Sequence, residues 1–219
     1  MKSSIAKSAL LAATLSSTSV LSIAQSVVYS NIDPTRDFNQ FHSSANEFGD
    51  ELTLVGTDRT LFNVSFYYYY NGATPGNITL RLYDNAGAGG APGAMLGTPS
   101  TFPLDVTTSG SREGTFNWNL SGATPAVTVP DTLTWTVQFS NLAAGSTAGL
   151  LVYGPPNSGT SPSVFWEFVG GTWQSMGIAG TTGDFAVEVT AVPEPGTLAL
   201  GALALLTGAG FARYRKLRQ

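Results

Sequence analysis

The sequence predicts an all-β fold, an antiparallel two-sheet sandwich of jelly-roll-like type, set between an N-terminal signal peptide and a C-terminal single transmembrane helix. Three observations carry the prediction. Short runs alternate apolar and polar residues, clusters of Gly, Pro, Asn and Thr separate them, and no window between the two ends carries a helical apolar stripe. Strands with one apolar face each bury that face only when two sheets stack over a shared core. A closed barrel is the rival architecture and calls for more even strand lengths.

In residues 60–70, Phe62, Val64, Phe66, Tyr68 and Tyr70 share one strand face, while Asn63, Ser65, Tyr67 and Tyr69 share the other. Turn residues 71–76 follow, and Ile78, Leu80 and Leu82 resume the alternation against Thr79, Arg81 and Tyr83, which predicts a hairpin with a long turn. Phe116, Trp118 and Leu120 alternate with Thr115, Asn117 and Asn119. Leu133, Trp135, Val137 and Phe139 stand against Thr132, Thr134, Thr136, Gln138 and Ser140, the cleanest case in the chain. Val164, Trp166 and Phe168 give another apolar set, and Phe185, Val187 and Val189 the last. Weaker signals at 52–55, 96–104, 127–129, 150–153 and 172–176 bring the count to nine to eleven strands.

Between strands, residues 86–93 are too rich in glycine to hold one backbone shape alone, so they read as a mobile loop or one ordered by a partner. They lack the Gly-Lys-Ser/Thr of a phosphate loop, and that reading is rejected. Residues 154–163 form a second long loop stiffened by Pro155, Pro156 and Pro162. Gly72-Ala73-Thr74-Pro75 recurs as Gly122-Ala123-Thr124-Pro125. Duplicated hairpins would explain the echo; turn chemistry explains it nearly as well.

The ends define three regions: a signal peptide at 1–24, a sandwich domain at 25–191, and a sorting segment at 192–219. Lys2 and Lys7 precede an uncharged run at 8–23, and Ser22-Ile23-Ala24 supplies the small residues of a signal-peptidase site, so cleavage is predicted between Ala24 and Gln25. An uncleaved anchor is the rival, and the many Ser and Thr residues make a poor permanent span. The body of about 167 residues suits one domain. Its cations are Arg36, Arg59, Arg81 and Arg112 against 13 acids, 4 − 13 = −9. An acidic body without a basic cluster argues against nucleic acid. Cysteine is absent, so no disulfide or thiolate metal site supports the exported domain.

At the C-terminal end, Val192-Pro193-Glu194-Pro195 is followed by an uncharged run at 196–212 and a basic stretch at 213–219 carrying Arg213, Arg215, Lys216 and Arg218. As a helix the run would reach about 25 Å, slightly short of a hydrocarbon core of about 30 Å. The four cations form a cytoplasmic stop and place the body on the opposite face. These blocks resemble the PEP-CTERM sorting signal of exported proteins from exopolysaccharide-producing Gram-negative bacteria. The resemblance implies recognition by exosortase with Pro193, Glu194 and Pro195 as the motif, a precursor held transiently in the inner membrane, loss of the tail, and transfer to the cell surface or exterior. Tyr214 and Leu217 interrupt the basic cluster. An ordinary membrane anchor with a Pro-rich linker is the alternative.

Catalytic chemistry has little footing. His42 is the single histidine, and its neighbours Ser43 and Ser44 cannot face it productively along a strand, so a surface or capping role is favoured. Glu167 and Glu188 read as solvated carboxylates on polar strand faces. Zinc does not suit one His and no Cys. Calcium suits oxygen ligands better, with Asp33, Asp37 and Asp50 beside Glu51 and Asp58, but their spacing matches no defined calcium loop and a solubilising acidic surface is the favoured account. Tyr67 and Tyr69 share a strand face and Trp173 follows a Gly-Gly turn; exposed rings of this kind stack on sugars, with Asn63 and Arg81 as hydrogen-bonding partners. Burial of both faces of that strand is the competing account. The expectation is a non-enzymatic, cofactor-free structural or adhesive surface protein. Its alternatives are a lectin-like module for extracellular polysaccharide and a polysaccharide hydrolase. Signal peptidase and exosortase are the partners in export.

Overall fold

The computed structural model describes residues 24–32, 40–72, 74–104, 111–162, 164–177 and 184–194. The signal run at 1–23, the uncharged run at 196–212, Asp33, Asp37, Pro195 and the basic residues Arg213, Arg215, Lys216 and Arg218 lie outside them. Among the described residues, seven strands form one sheet: β1 (Ser26–Ser30), β2 (Phe41–His42), β4 (Thr60–Asn71), β7 (Ser111–Asn119), β9 (Thr147–Tyr153), β12 (Asp184–Phe185) and β13 (Val187–Val192). Six form the other, in the order β11-β10-β3-β8-β5-β6: β3 (Phe48–Thr53), β5 (Asn77–Asp84), β6 (Ser100–Pro103), β8 (Thr132–Ser140), β10 (Phe165–Val169) and β11 (Thr172–Met176).

The 12-residue β4, dense in the aromatic residues that favour extended backbone, is the spine of the first sheet. One edge pairs with β7 from Asn63↔Asn119 to Asn71↔Ser111. The other edge is shared, β13 taking Thr60 to Phe66 and β9 taking Tyr68 to Asn71. Ala186 joins the two halves: Tyr67 donates its backbone N–H to the Ala186 carbonyl at 3.1 Å, and Ala186 donates to Leu151 at 2.9 Å.

Between the sheets, Leu133, Trp135, Val137 and Phe139 from β8 are buried as their alternation predicts. They meet Val64, Phe66, Tyr68 and Tyr70 from β4, and Trp135 lies 5.4 Å from Phe66. Gly49 fits against β8 because it has no Cβ; one added there would stand 1.9 Å from the Trp135 carbonyl oxygen.

Several expectations are corrected. β4 and β5 do not form a hairpin: they belong to different sheets, and the chain changes sheet between Asn71 and Asn77. Residues 120–131 make the equivalent crossing from β7 to β8, so the repeated Gly-Ala-Thr-Pro marks two crossovers rather than duplicated hairpins. The β10 face is inverted. Phe165 is the core residue at 2 % exposure, while Val164 and Phe168 are each 39 % exposed, because pairing with β3 sets Phe165 beside buried Asp50. Residues 127–129 contribute a single bridge, Thr60↔Thr128, instead of a strand. The Gly-rich segment holds its shape through its own bonds: the Asp84 carboxylate accepts from the backbone of Ala86 and Ala94, and Gly89 and Gly90 adopt φ of 70° and 82°.

Candidate functional site

Tyr67 and Tyr69 project from the outer face of β4, half-buried against a small apolar group around Leu151, Tyr153 and Ala186. Tyr69 stacks on Phe41 at 4.3 Å, and Tyr67 lies 5.9 Å from Tyr153. Trp173 is on the other sheet, so the structure does not bring it to the two tyrosines. Arg81 likewise faces away from them on β5; Asn63 remains on their strand and donates to Ser65 at 3.2 Å.

The outer face of the second sheet instead collects Trp166, Phe168, Trp173, Tyr83, Arg81 and Glu47. The carboxylate of Glu47 accepts from Tyr83 at 2.9 Å, Thr136 at 2.5 Å and Arg81 at 3.0 Å, and Arg81 also donates to Gln138 at 3.3 Å. Burial, then the adjacent Glu47 charge, pushes the Tyr83 phenol well above its usual range. Trp173 contacts Phe168 at 5.1 Å and Tyr83 at 5.5 Å. β11 and β5 are four places apart in the sheet, about 19 Å at normal strand spacing. The β10–β11 hairpin therefore curls over this face, making it concave, with rings on the wall and a hydrogen-bonded ion pair on the floor.

A second concavity lies at one end of the sandwich, a cleft of 760 Å³ bounded by residues 95–100 and 118–128. Trp118, Leu96 and Val127 supply its apolar surface, Thr98, Thr124 and Thr128 its hydroxyls, and no lining residue is charged. The sequence reading missed it. Two connections distant along the chain build it with the end of β7, and their local sign is Gly, Thr and Pro turn composition.

Asp50, Asp184 and His42 are held within the fold. Asp50 is not a surface ligand: it points into the core at 1 % exposure and accepts from the Phe185 backbone N–H at 2.5 Å. Burial, with a contribution from Asp184, raises its carboxyl well above the usual range, while the Phe185 bond opposes the shift. Asp184 is 3 % exposed and accepts from Ser161 at 3.2 Å; burial pushes it up to about 6 against that bond. Among the described residues, no group of three His, Cys, Asp or Glu side chains could hold a metal ion. His42 is half-buried, its ring packed 4.6 Å from Phe165 and 5.0 Å from Phe48. Burial lowers its pKa against the pull of Glu167. Ser43 donates to the Ala148 carbonyl, and Ser44 and Asn46 donate to Glu167, which is thus held by neighbours rather than simply solvated. Glu188 accepts from Ser30 at 3.3 Å.

At the termini of the body, Ala24 and Gln25 are exposed, and β1 begins at the next residue. Ser26 pairs with Ala191, so the predicted signal cleavage point and the C-terminal motif emerge side by side. Val192 is the last residue of β13 and pairs with Thr60, Pro193 is half-buried, and Glu194 is exposed. The sandwich thus includes Val192 and leads without a spacer through half-buried Pro193 to exposed Glu194. An all-β body with such a segment directly after its last strand is laid out as a folded passenger followed by a processing signal.

Residues 191–216 match the family model of the PEP-CTERM protein-sorting motif. The chain carries that motif, which implies an exported protein that passes through the membrane with exosortase as its processing partner. No curated protein and no solved structure matches the chain.

Proposed function

We propose that this protein is a non-enzymatic structural or adhesive component of the cell surface or its polysaccharide matrix, delivered there by removal of its C-terminal tail. The observation that carries the reading is the position of the motif, which begins on the last residues of β13 and leaves the whole sandwich upstream as cargo. The successive crossings of the chain between sheets support a jelly-roll-like body. Mass spectrometry of the protein from its native host tests the route. Mature ends near Gln25 and Glu194 are expected, and an intact chain in the presence of active exosortase would overturn it.

A second reading, polysaccharide binding, is favoured by one observation: Phe168 and Trp173 stand on a concave face beside the Arg81–Glu47 pair. Rings so placed stack on sugars while polar groups fix their orientation. Electrophoresis through gels containing the host polysaccharide should retard the wild-type body more than Trp173→Ala. Equal mobilities with and without polymer would remove this reading.

A further inference from the structure

The strand order places the chain's membrane-directed ends and the uncharged cleft at the same end of the sandwich. Ser26 pairs with Ala191, Val192 pairs with Thr60, and Thr60 bridges Thr128 on its other edge. The start of β1, the end of β13 and the cleft rim therefore lie within a few strand spacings, each about 5 Å. Val55, in the connection before β4, donates its N–H to Val28 and so belongs to the same corner.

Reach is the deciding quantity. From Val192 to Gly196 there are four Cα–Cα steps, at most about 13 Å when fully extended. About 5–8 Å of that is needed to cross the headgroup layer on one side of a bilayer. The body cannot stand off by more than a few ångströms, and it cannot turn freely because the tether begins inside a strand paired on both sides. The surface brought toward the lipid is partly apolar: Val27 and Val55 are 45 % and 44 % exposed, the cleft is uncharged, Arg59 is neutralised by Asp131 at 2.7 Å, and the Asp58 carboxylate accepts from the Ser26 hydroxyl.

We infer that in the tail-bearing precursor this end of the sandwich, formed by residues 54–59 and 120–131, rests on the surface of the bilayer that holds the tail. The cleft is covered there and opens only when the tail is removed. The opposite end, including residues 141–146, points away from the membrane, because β8 separates the two by about 30 Å. This inference rests on the proposed export route and its membrane-held precursor.

The absence of native cysteine allows a direct test. Gly122→Cys marks the cleft rim, where an added Cβ meets nothing within 4 Å, and Ala143→Cys marks an exposed position at the far end. Each full chain is added to preformed phosphatidylcholine/phosphatidylglycerol vesicles, and its reaction with a polymer-bearing maleimide is followed. In vesicles the Gly122→Cys thiol should react about tenfold more slowly than that of Ala143→Cys, because the gap is too narrow for the polymer. The two should react alike once detergent dissolves the bilayer. Ser121→Cys, also exposed, repeats the rim measurement should Gly122→Cys fold poorly. Equal rates in chains that resist carbonate extraction would overturn the orientation alone. Chains that carbonate strips from the vesicles would overturn the anchored precursor and the orientation with it.

Discussion

Raising the pH from 4 to 8 is expected to destabilise the sandwich, and Asp184→Asn is expected to remove the part of that loss that Asp184 carries. Asp184 and Asp50 sit in the core at 3 % and 1 % exposure, and among the described residues neither has an ion-pair partner. Burial raises the folded-state pKa of both, so the folded protein holds their protons more tightly than the unfolded chain. A raised pKa contributes stability that is complete below the unfolded value and is lost as pH climbs through the folded one. For Asp184 the window runs from its usual 3.8 to about 6. At 1.36 kcal/mol per pH unit the loss is about 3 kcal/mol, and Asp50 adds in the same direction. For a domain of this size that lowers Tm by about 6–12 °C. His42 acts oppositely, because its lowered pKa costs stability as pH falls below about 6.5. The difference between wild-type and Asp184→Asn melting profiles cancels that contribution, and Asn keeps an oxygen to accept from Ser161. The variant should melt higher than wild type at pH 8 and no higher at pH 4, followed by circular dichroism at constant ionic strength. Profiles that run parallel across this range would refute the assignment of strain to the Asp184 carboxylate.

Three further outcomes can be checked by chemical or thermal unfolding. Gly49→Ala should destabilise by about 1–3 kcal/mol or more, because the new methyl would meet the immobile Trp135 carbonyl and Thr136 backbone; an unchanged urea midpoint would contradict that packing. Glu47→Ala should cost about 2–3 kcal/mol by leaving Arg81, Tyr83 and Thr136 without their shared acceptor, and Glu47→Gln should cost less. A chain ending at Val192 should melt within a few degrees of the longer protein, whereas one ending at Ala186 should fail to fold, since it strips β13 from between β1 and β4.

Legibility followed how local each cause is. The β8 alternation could be read directly because Leu133, Trp135, Val137 and Phe139 all face one core, although burial of Thr134 and Thr136 on the other face could not be. Pairing across β8 covers those threonines with Asn85 and Glu47, residues far away in sequence. The stretch Val164-Phe165-Trp166-Glu167-Phe168 carries apolar residues in both phases, and only its register against β3 chooses Phe165 for the interior. Residues 71–76 have turn chemistry that serves a hairpin and a crossover equally, so sheet membership was out of reach. Asp50 read as one of several solvated acids because Phe185 and Asp184, which set its environment, lie more than 130 positions away. The sorting motif matched at residues 191–216 was legible because its order of Pro-Glu-Pro, uncharged run and basic end is a property of contiguous residues.

Charge and surface chemistry together narrow the partner of the proposed matrix role. The body carries −9 in formal charge, and both arginines whose side-chain contacts are described, Arg59 and Arg81, are already engaged with carboxylates. A strongly anionic polymer would meet repulsion that physiological salt screens only beyond about 8 Å. The two concavities offer something different: rings of Phe168 and Trp173 on one, Trp118 with threonine hydroxyls on the other. Stacking and neutral hydrogen bonds depend little on ionic strength. On the proposed reading, the favoured matrix partner is therefore a neutral saccharide held by contact chemistry, and its binding should persist when salt is raised.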